Sequence, residues 1–455
     1  MRLKVIRGMA QARKELFRVD VLNLDSVPQE VIDRTEKVFG ERLSPMESVQ
    51  RILEDVRLQG DNAIRHYSRI LDGVEMDGLE VSKEQITRAY EQAPGVLVEA
   101  LEFAAKRIDD FHRATMRKSW VDLPSGIGEL VVPIERVGIY APGGTASYPS
   151  TVLMTAIPAR VAGVKEIVLA TPPRDGENPD ITVLAAAKLA GVDRVIRVGG
   201  VQAIGAMAFG TETLPKVDKI CGPGNLFVTI AKKLVFGQVD IDGLYGPTET
   251  VVIADETASP AYCAADMLAQ AEHDPQASAI LVTTSSALVG EIEKEVDKQL
   301  ASLERGELAG ASLERQGKVI LVDDMDDALE LANHIAPEHL CMMVEEPWAW
   351  AGKVKHAGGV FLGPFSPEVM GDYVAGPSHV MPTGGTARFS SALSVHHFLK
   401  TMPVVGLKPD EYHGLAEAAA VIARAEGLTG HARAVEGRLS DLTGREDMRQ
   451  RKTAP

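Results

Sequence analysis

Gln270 and His273 stand three residues apart in LAQAEHDP, so on a helix both side chains leave the same face and can converge on one point. Helix-borne metal ligands need that spacing, although taken alone the pair is more simply a capped helix end with a solvent-facing histidine. Pro337-Glu338-His339-Leu340 sets a carboxylate beside an imidazole where a helix meets a strand, and adjacent side chains there point in different directions. Two separate protons could be served. An imidazole titrates near neutral pH and suits removal of an alcohol proton, while a carboxylate can orient or deprotonate the water that oxidation of an aldehyde hydrate requires. Asp372, in Gly371-Asp372-Tyr373, and His379, in His379-Val380-Met381-Pro382, fall in a long Gly- and Pro-rich stretch that reads as a connecting loop, a frequent carrier of function. Their oxygen and nitrogen are both acceptable around zinc, and a turn aspartate with a surface histidine is the ordinary alternative. Glu426 and His431, five apart on a polar C-terminal stretch, occupy faces well separated around a helix axis, so one could reach a site while the other braces it. Cys341 raises the different chemistry of a thiolate trapping an aldehyde, but its surroundings, LCMMV, are apolar and strand-like and favour a buried, inert thiol.

The elements that must carry these residues follow from periodicity and capping. Ser44-Pro45-Met46-Glu47 supplies a capping hydroxyl, an N1 proline and an N3 carboxylate, and Ser82 with Gln85 marks a second helix start. With SVQRILEDVRLQ and VLVEALEFAAKRIDDFHRA, the first third is predicted mainly helical. From Glu135 onward, short β-branched runs (RVGIYAP, EIVLATPP, RVIRVGG, KVDKICGPGN) alternate with Ala-rich helical stretches, which implies a parallel sheet covered by helices. The same grammar resumes after TVVIAD and implies a second such sheet. Having no sheet of its own, the helical first third is expected to pack with this second unit, leaving the middle one as an insertion. From Ser394 the chain reads as helical and polar, too thin to hold a core alone, and suited to docking on its own body or on a partner subunit. No GxGxxG fingerprint follows the first strand of either sheet, and the turns Pro142-Gly143-Gly144 and Gly222-Pro223-Gly224-Asn225 read by themselves as tight turns.

Bulk composition narrows the classes. The 455 residues, 45% hydrophobic and 25% charged, are ordinary globular material sufficient for several domains. Asp and Glu number 64 against 48 Lys and Arg, and the resulting net charge of −16 argues against a broad nucleic-acid surface. No apolar run approaches the roughly 20 residues that cross a bilayer, and MRLKVIRGMAQARKELF lacks a signal-peptide core, so a cytoplasmic setting without a membrane partner is expected. Cys221, Cys263 and Cys341 are widely separated and odd in number, which argues against a disulfide framework.

Taken together, VGIYAPGG, VGGVQAIGAMAFGTETLPKVDKICGPGN, LAQAEHDP, APEHL, GDYVAGPSHVMPTGGTARFSS and AEGLTGHARAV resemble the histidinol dehydrogenase family in order, spacing and wording over nearly the whole chain. The resemblance implies an α/β fold of two incomplete Rossmann-like domains with parallel sheets, plus helical N- and C-terminal extensions, in an intertwined homodimer. Residues 1–32 would be the N-terminal helical extension, 33–139 with 248–393 the first α/β domain carrying the zinc and catalytic residues, 140–247 the NAD-binding domain, and 394–455 a helical arm reaching the partner subunit. It further implies one Zn2+ per subunit held by Gln270, His273 and Asp372 of one chain and His431 from the arm of the other. His339 would take the hydroxyl proton and Glu338 would activate water. The substrate, a small amino alcohol, would meet Thr248, His379 and Glu426 as well as His339 and the metal ligands. Tyr140, Gln202 and Asn225 would contact NAD, which is used twice per substrate. The implied reaction is four-electron oxidation of L-histidinol to L-histidine, the last step of histidine biosynthesis.

Two departures from the family pattern bear on the substrate. Many members have Ala-Gly-Pro-Ser-Glu where this chain has Tyr245-Gly246-Pro247-Thr248-Glu249, so the hydroxyl is kept on Thr248 with an added methyl, and Tyr245 adds bulk nearby. Related proteins oxidise sulfonated diols instead, but the anionic Glu426 suits an ammonium better than a sulfonate and favours histidinol.

Overall fold

Both anticipated capping boxes are present: Ser44 and Ser82 each accept from the backbone three residues on, and Glu47 and Gln85 reach back to the cap amide. They open helices Pro45–Gln59 and Lys83–Gln92, with Pro45 in the first turn. The computed structural model describes residues 3–16, 29–143, 147–174 and 178–453, so Gly144 and residues 17–28 of the expected N-terminal extension lie outside the described residues. The chain divides into two units, Met1–Met116 with Ile134–Phe398 and Arg117–Pro133 with Leu399–Pro455.

The larger unit is built on two six-stranded sheets. In one, Lys4–Arg7, Lys318–Leu321, Ser278–Thr283, Glu249–Ala254, His339–Met343 and Gly359–Leu362 lie side by side in that order, all parallel. Alternation along these strands feeds two cores. Val252, Leu281, Val319 and Cys341 pack under the helices Pro260–Ala271, Ser286–Leu300 and Gly306–Gln316, and Val251, Ile253, Ile320 and Leu340 pack against Met325–Ile335. In the other sheet the order is Glu80–Val81, Arg194–Ile196, Glu166–Ala170, Arg136–Tyr140, Lys219–Cys221 and Asp240–Ile241, parallel except for the outer Glu80–Val81. Numbered from Arg136–Tyr140, its parallel strands run 3-2-1-4-5, a doubly wound arrangement whose direction reverses between Arg136–Tyr140 and Lys219–Cys221.

Two expected boundaries are redrawn. Residues 33–139 do not share a core with 248–393: Val49, Ile52, Leu53, Val56, Ile64 and Tyr67 bury their apolar stripe with Val168, Ile196, Ile204 and Met207 of the middle sheet and its helix Gly200–Phe209. Gly205 admits the contact, since a Cβ there would stand 3.2 Å from Leu53 Cδ2. Helix Gly95–Ala114 likewise packs on Pro149–Ala162. Nor is the described part of 1–32 only helical, because Lys4–Arg7 pairs in register with Lys318–Leu321 as an edge strand and buries Ile6.

The smaller unit holds a three-stranded antiparallel sheet, Leu399–Val405, Ile127–Pro133 and Trp120–Asp122, and the helices Pro409–Ala425 and Thr429–Thr453. The region 394–455 is thus not wholly helical: LKTMPVV pairs along its full length with Ile127–Pro133. Small residues Ala416, Ala420 and Ala432 are buried in the helical pair, and Tyr412 Oη donates to Val435 O at 2.8 Å. Among the described residues no helix is long and apolar enough to cross a membrane.

Candidate active site

Strand register brings the first polar cluster together. Thr250 lies opposite His339 on neighbouring strands, so the residues just before each strand, Thr248 and Glu338, meet at the amino edge of the sheet. Thr248 Oγ1 donates to Glu338 Oε2 at 2.5 Å, the Glu249 amide donates to the same oxygen at 3.2 Å, and Gln270 Nε2 donates to Thr248 Oγ1 at 2.7 Å. Gln270 is buried in the last turn of Pro260–Ala271, while His273, just past that helix, stands exposed at the rim.

His339 turns the other way. Its Nε2 is 3.4 Å from Asp372 Oδ1, its Nδ1 is 3.8 Å from Glu338 Oε2 and 4.0 Å from Glu368 Oε2, and the Phe361 ring lies 5.7 Å away between centroids. Neither ring nitrogen has a hydrogen-bond partner, although the side chain is buried. Burial alone would lower the His339 pKa, but Glu368, Glu338 and Asp372 outweigh it and push it up to about 10. Burial raises the Glu338 carboxyl to about 7 against the opposing pull of His339 and its two hydrogen bonds. For Asp372, burial is outweighed by the nearby imidazole of His339, 3.4 Å away, and its pKa falls. Desolvation lowers the His273 pKa against the opposing charge of Asp372.

Asp372 belongs to the short helix Glu368–Tyr373, and its backbone oxygen accepts from His379 Nδ1 at 2.8 Å, which leaves His379 Nε2 to accept from Thr151 Oγ1 at 3.3 Å. Thr151 lies in Pro149–Ala162, the helix that follows the first strand of the doubly wound sheet. The segment after Glu368–Tyr373 therefore touches the other lobe of the same unit through His379.

On that lobe Tyr140, Gln202 and Asn225 collect at the carboxyl ends of the strands, where open α/β sheets bind ligands. Tyr140 Oη accepts from the Gly200 amide at 3.1 Å, and burial raises the phenol to about 12. Gln202 Nε2 donates to Asp72 Oδ2 at 3.2 Å, while its Oε1 is buried with no partner. Asn225 caps Leu226–Val235 by accepting from the Val228 amide at 3.1 Å. Thus Thr248, Gln270, Glu338, His339, Asp372 and His379 are linked in one network, and Tyr140, Gln202 and Asn225 stand together at the carboxyl ends of the strands, the first two buried. Glu426 and His431 sit exposed at the turn between the two helices of the smaller unit.

Sequence reasoning missed two buried acids and one buried ion pair. Glu368 stands four residues before Asp372, a same-face helical spacing that was available as a signal. Asp266 is 5% exposed with Oδ2 unpartnered, and burial, then the charge of Glu368, raises it to about 7. Lys232 and Asp242 are joined at 2.5 Å with side chains 2% and 0% exposed. Tyr245, expected to crowd the substrate hydroxyl, has its ring 4.7 Å from the Lys232 ammonium. The three cysteines are free and buried, and Cys341 Sγ lies 3.7 Å from Glu368 Oε2. Among the described residues no group of three or more His, Cys, Asp or Glu side chains is arranged to hold a metal ion.

A doubly wound sheet beside a buried carboxylate and imidazole is an arrangement able to bind a ligand and move protons. The family model for histidinol dehydrogenase matches residues 39–439. The histidinol dehydrogenase of Dehalococcoides mccartyi strain CBDB1 is 48% identical over 440 residues, covering 96% of this chain and 100% of the relative. That of Aquifex aeolicus is 51% identical over 398 residues, covering 87% and 92%. The crystal structure of histidinol dehydrogenase from Elizabethkingia anophelis superposes with a TM-score of 0.89 at 34% identity, covering 97% of this chain and 99% of that one. The chain belongs to the histidinol dehydrogenase family.

Proposed function

We propose that the protein oxidises L-histidinol through L-histidinaldehyde to L-histidine with two NAD, completing histidine biosynthesis in the cytoplasm. The observation that carries this reading is the division of the pair Glu338 and His339, one turned to Thr248 and the other to Asp372. His339, once a bound cation offsets the acids that hold its ring protonated, would take the alcohol proton in the first oxidation. Glu338 would take a proton from water so that the aldehyde hydrate can be oxidised in the second. Thr248 and Gln270 hold Glu338 in place through their hydrogen bonds.

The amide oxygen of Gln270, the imidazole of His273 and the carboxylate of Asp372 are donors that suit zinc, and the clustered charge of Glu338, Glu368 and Asp372 is what a divalent cation offsets. We assign these three as ligands, completed by His431 of the partner subunit in a homodimer. When bound, Zn2+ would orient the substrate amine and imidazole, and NAD would accept a hydride in each oxidation. The unpartnered Gln202 Oε1 at the carboxyl edge is a vacant acceptor of the kind a nucleotide hydroxyl or amide satisfies, which fits Tyr140, Gln202 and Asn225 to that cofactor. Glu426 would face the substrate ammonium. Because Tyr245 directs its ring at Lys232, the enlarged Tyr-Gly-Pro-Thr segment is compatible with histidinol. Purified protein assayed for bound zinc and for NAD reduction with L-histidinol and a sulfonated diol tests the reading: turnover of histidinol is expected, and turnover of the diol alone overturns it.

A further inference from the structure

Lys232 and Asp242 form an ion pair without access to water, and neither belongs to the proposed catalytic network. Taking two charges out of water is costly, and apolar side chains of similar volume often stabilise a fold as well or better, so stability alone is a poor account of the pair. Its geometry suggests another. Lys232 Nζ donates to Gly222 O at 2.9 Å, and Asp242 Oδ2 accepts from the Gly222 amide at 2.6 Å. The two charges hold both polar backbone groups of one residue. Gly222 has φ +117°, and a Cβ there would stand 2.1 Å from Tyr140 O, so the chain crosses directly over the end of the neighbouring strand where the sheet order reverses. The side chain of Tyr245 closes the ammonium's remaining side, and its carbonyl is tied to the same helix by Thr229 Oγ1 at 3.0 Å.

We propose that Lys232, Asp242 and Tyr245 are positioning residues that clamp the turn Gly222–Asn225 in the orientation nucleotide binding requires, replacing the missing glycine fingerprint. The inference rests on the reading of this crevice as the NAD site. The clamp acts on the cofactor half alone, because the chain beyond Tyr245 is pinned independently: the Gly246 amide donates to Thr383 Oγ1 at 2.7 Å, and Thr248 is held by Gln270 and Glu338.

The double variant K232M/D242N removes the charges together, so no unpaired ion is left buried, and keeps an oxygen facing the Gly222 amide. Tyr245→Leu leaves the ion pair and removes the ring. Equilibrium titration of the zinc-loaded full-length protein with NAD and, separately, with histidinol gives the readout. The NAD Kd is expected to rise at least about tenfold in the double variant and a few fold in Tyr245→Leu, with the histidinol Kd within about twofold of the unaltered protein. Unchanged NAD affinity in a folded double variant overturns the clamp, as does equal weakening toward both ligands. If the double variant does not fold, unchanged NAD affinity in Tyr245→Leu overturns it. Unaltered protein that binds no NAD sinks the crevice reading itself, a result distinct from variants that bind as well as their parent.

Discussion

Replacing Glu338 with Gln should separate the two halves of the proposed reaction. The amide keeps the shape and an oxygen able to accept from Thr248 Oγ1 and the Glu249 amide, which stand 2.5 and 3.2 Å from Oε2, but it cannot take a proton from water. Removing a general base slows the step that uses it by about 100- to 10,000-fold. That loss should fall on conversion of aldehyde to acid, while conversion of alcohol to aldehyde, assigned to His339, stays within about tenfold of the unaltered rate. The pH dependence has the same origin. With burial raising Glu338 to about 7, the ionised and basic form is roughly a tenth of the whole at about pH 6 and nine tenths at about pH 8. Acid formation by the unaltered protein should therefore rise about tenfold over that interval, and the variant should lose the rise. Supplying L-histidinol and L-histidinaldehyde separately, following NADH by absorbance and separating the products, measures both halves. Equal losses in the two halves, or a variant that keeps the pH rise, would refute the assignment.

His339→Asn should lower alcohol oxidation by about two orders of magnitude or more with bound zinc unchanged; metal analysis alongside the rate separates a lost base from a lost ligand site. Cys341→Ala should leave turnover nearly unchanged, since burial and the charge of Glu368 hold that thiol well above its ordinary pKa; loss of activity would point to thiohemiacetal chemistry instead. Asp266, raised from 3.8 to about 7, contributes stability in its protonated form that is present below the ordinary carboxyl range and is lost as pH climbs through about 7. Asp266→Asn should accordingly stabilise the protein by up to ~4 kcal/mol at about pH 8 and by little at about pH 4, and urea unfolding that shows the same difference at both refutes it.

Much of the fold could be read from the chain because local chemistry and tertiary need coincide. Ser44 with Glu47 and Ser82 with Gln85 cap helices wherever those helices end up, and runs such as TVVIAD and AILVTT are apolar on both faces because both faces are covered. What a helix packs against is a different matter. The stripe of Ile52, Leu53 and Val56 suits either sheet by sequence, and only the space opened at Gly205 and the partners across it decide for the middle one. Lys4–Arg7 is too short and charged to announce an edge strand, and in LKTMPVV the proline and lysine hide one whose pairing lies far away in sequence. Among site residues, Gln270, Glu338, His339 and Asp372 stood out by type and spacing. Asp266, Glu368, Lys232 and Asp242 did not, because a lone charged residue reads as solvated until neighbours from four or five distant segments are known to enclose it.

The two large sheets share a strand order yet, on the proposed reading, would be used at opposite edges. Ligands in open α/β sheets gather where the order reverses at the carboxyl ends, and in the sheet containing Arg136–Tyr140 that place carries Tyr140 and Asn225. At the corresponding place in the sheet containing Glu249–Ala254, Asp255 accepts from the Glu345 amide at 2.9 Å, which ties the two strand ends together, and from Thr257 N at 2.9 Å in a local turn. Its amino edge is the one that carries Thr248, Glu338 and His339. Strand starts suit proton transfer because register fixes them: pairing of Thr250 with His339 leaves the preceding residues of both strands side by side without a flexible loop between them. With Thr151 meeting His379 across the lobes, a carboxyl edge suited to holding a nucleotide confronts an amino edge suited to holding bases. On the proposed reading, one topology used twice would serve as a binding half and a proton-handling half rather than as two nucleotide sites.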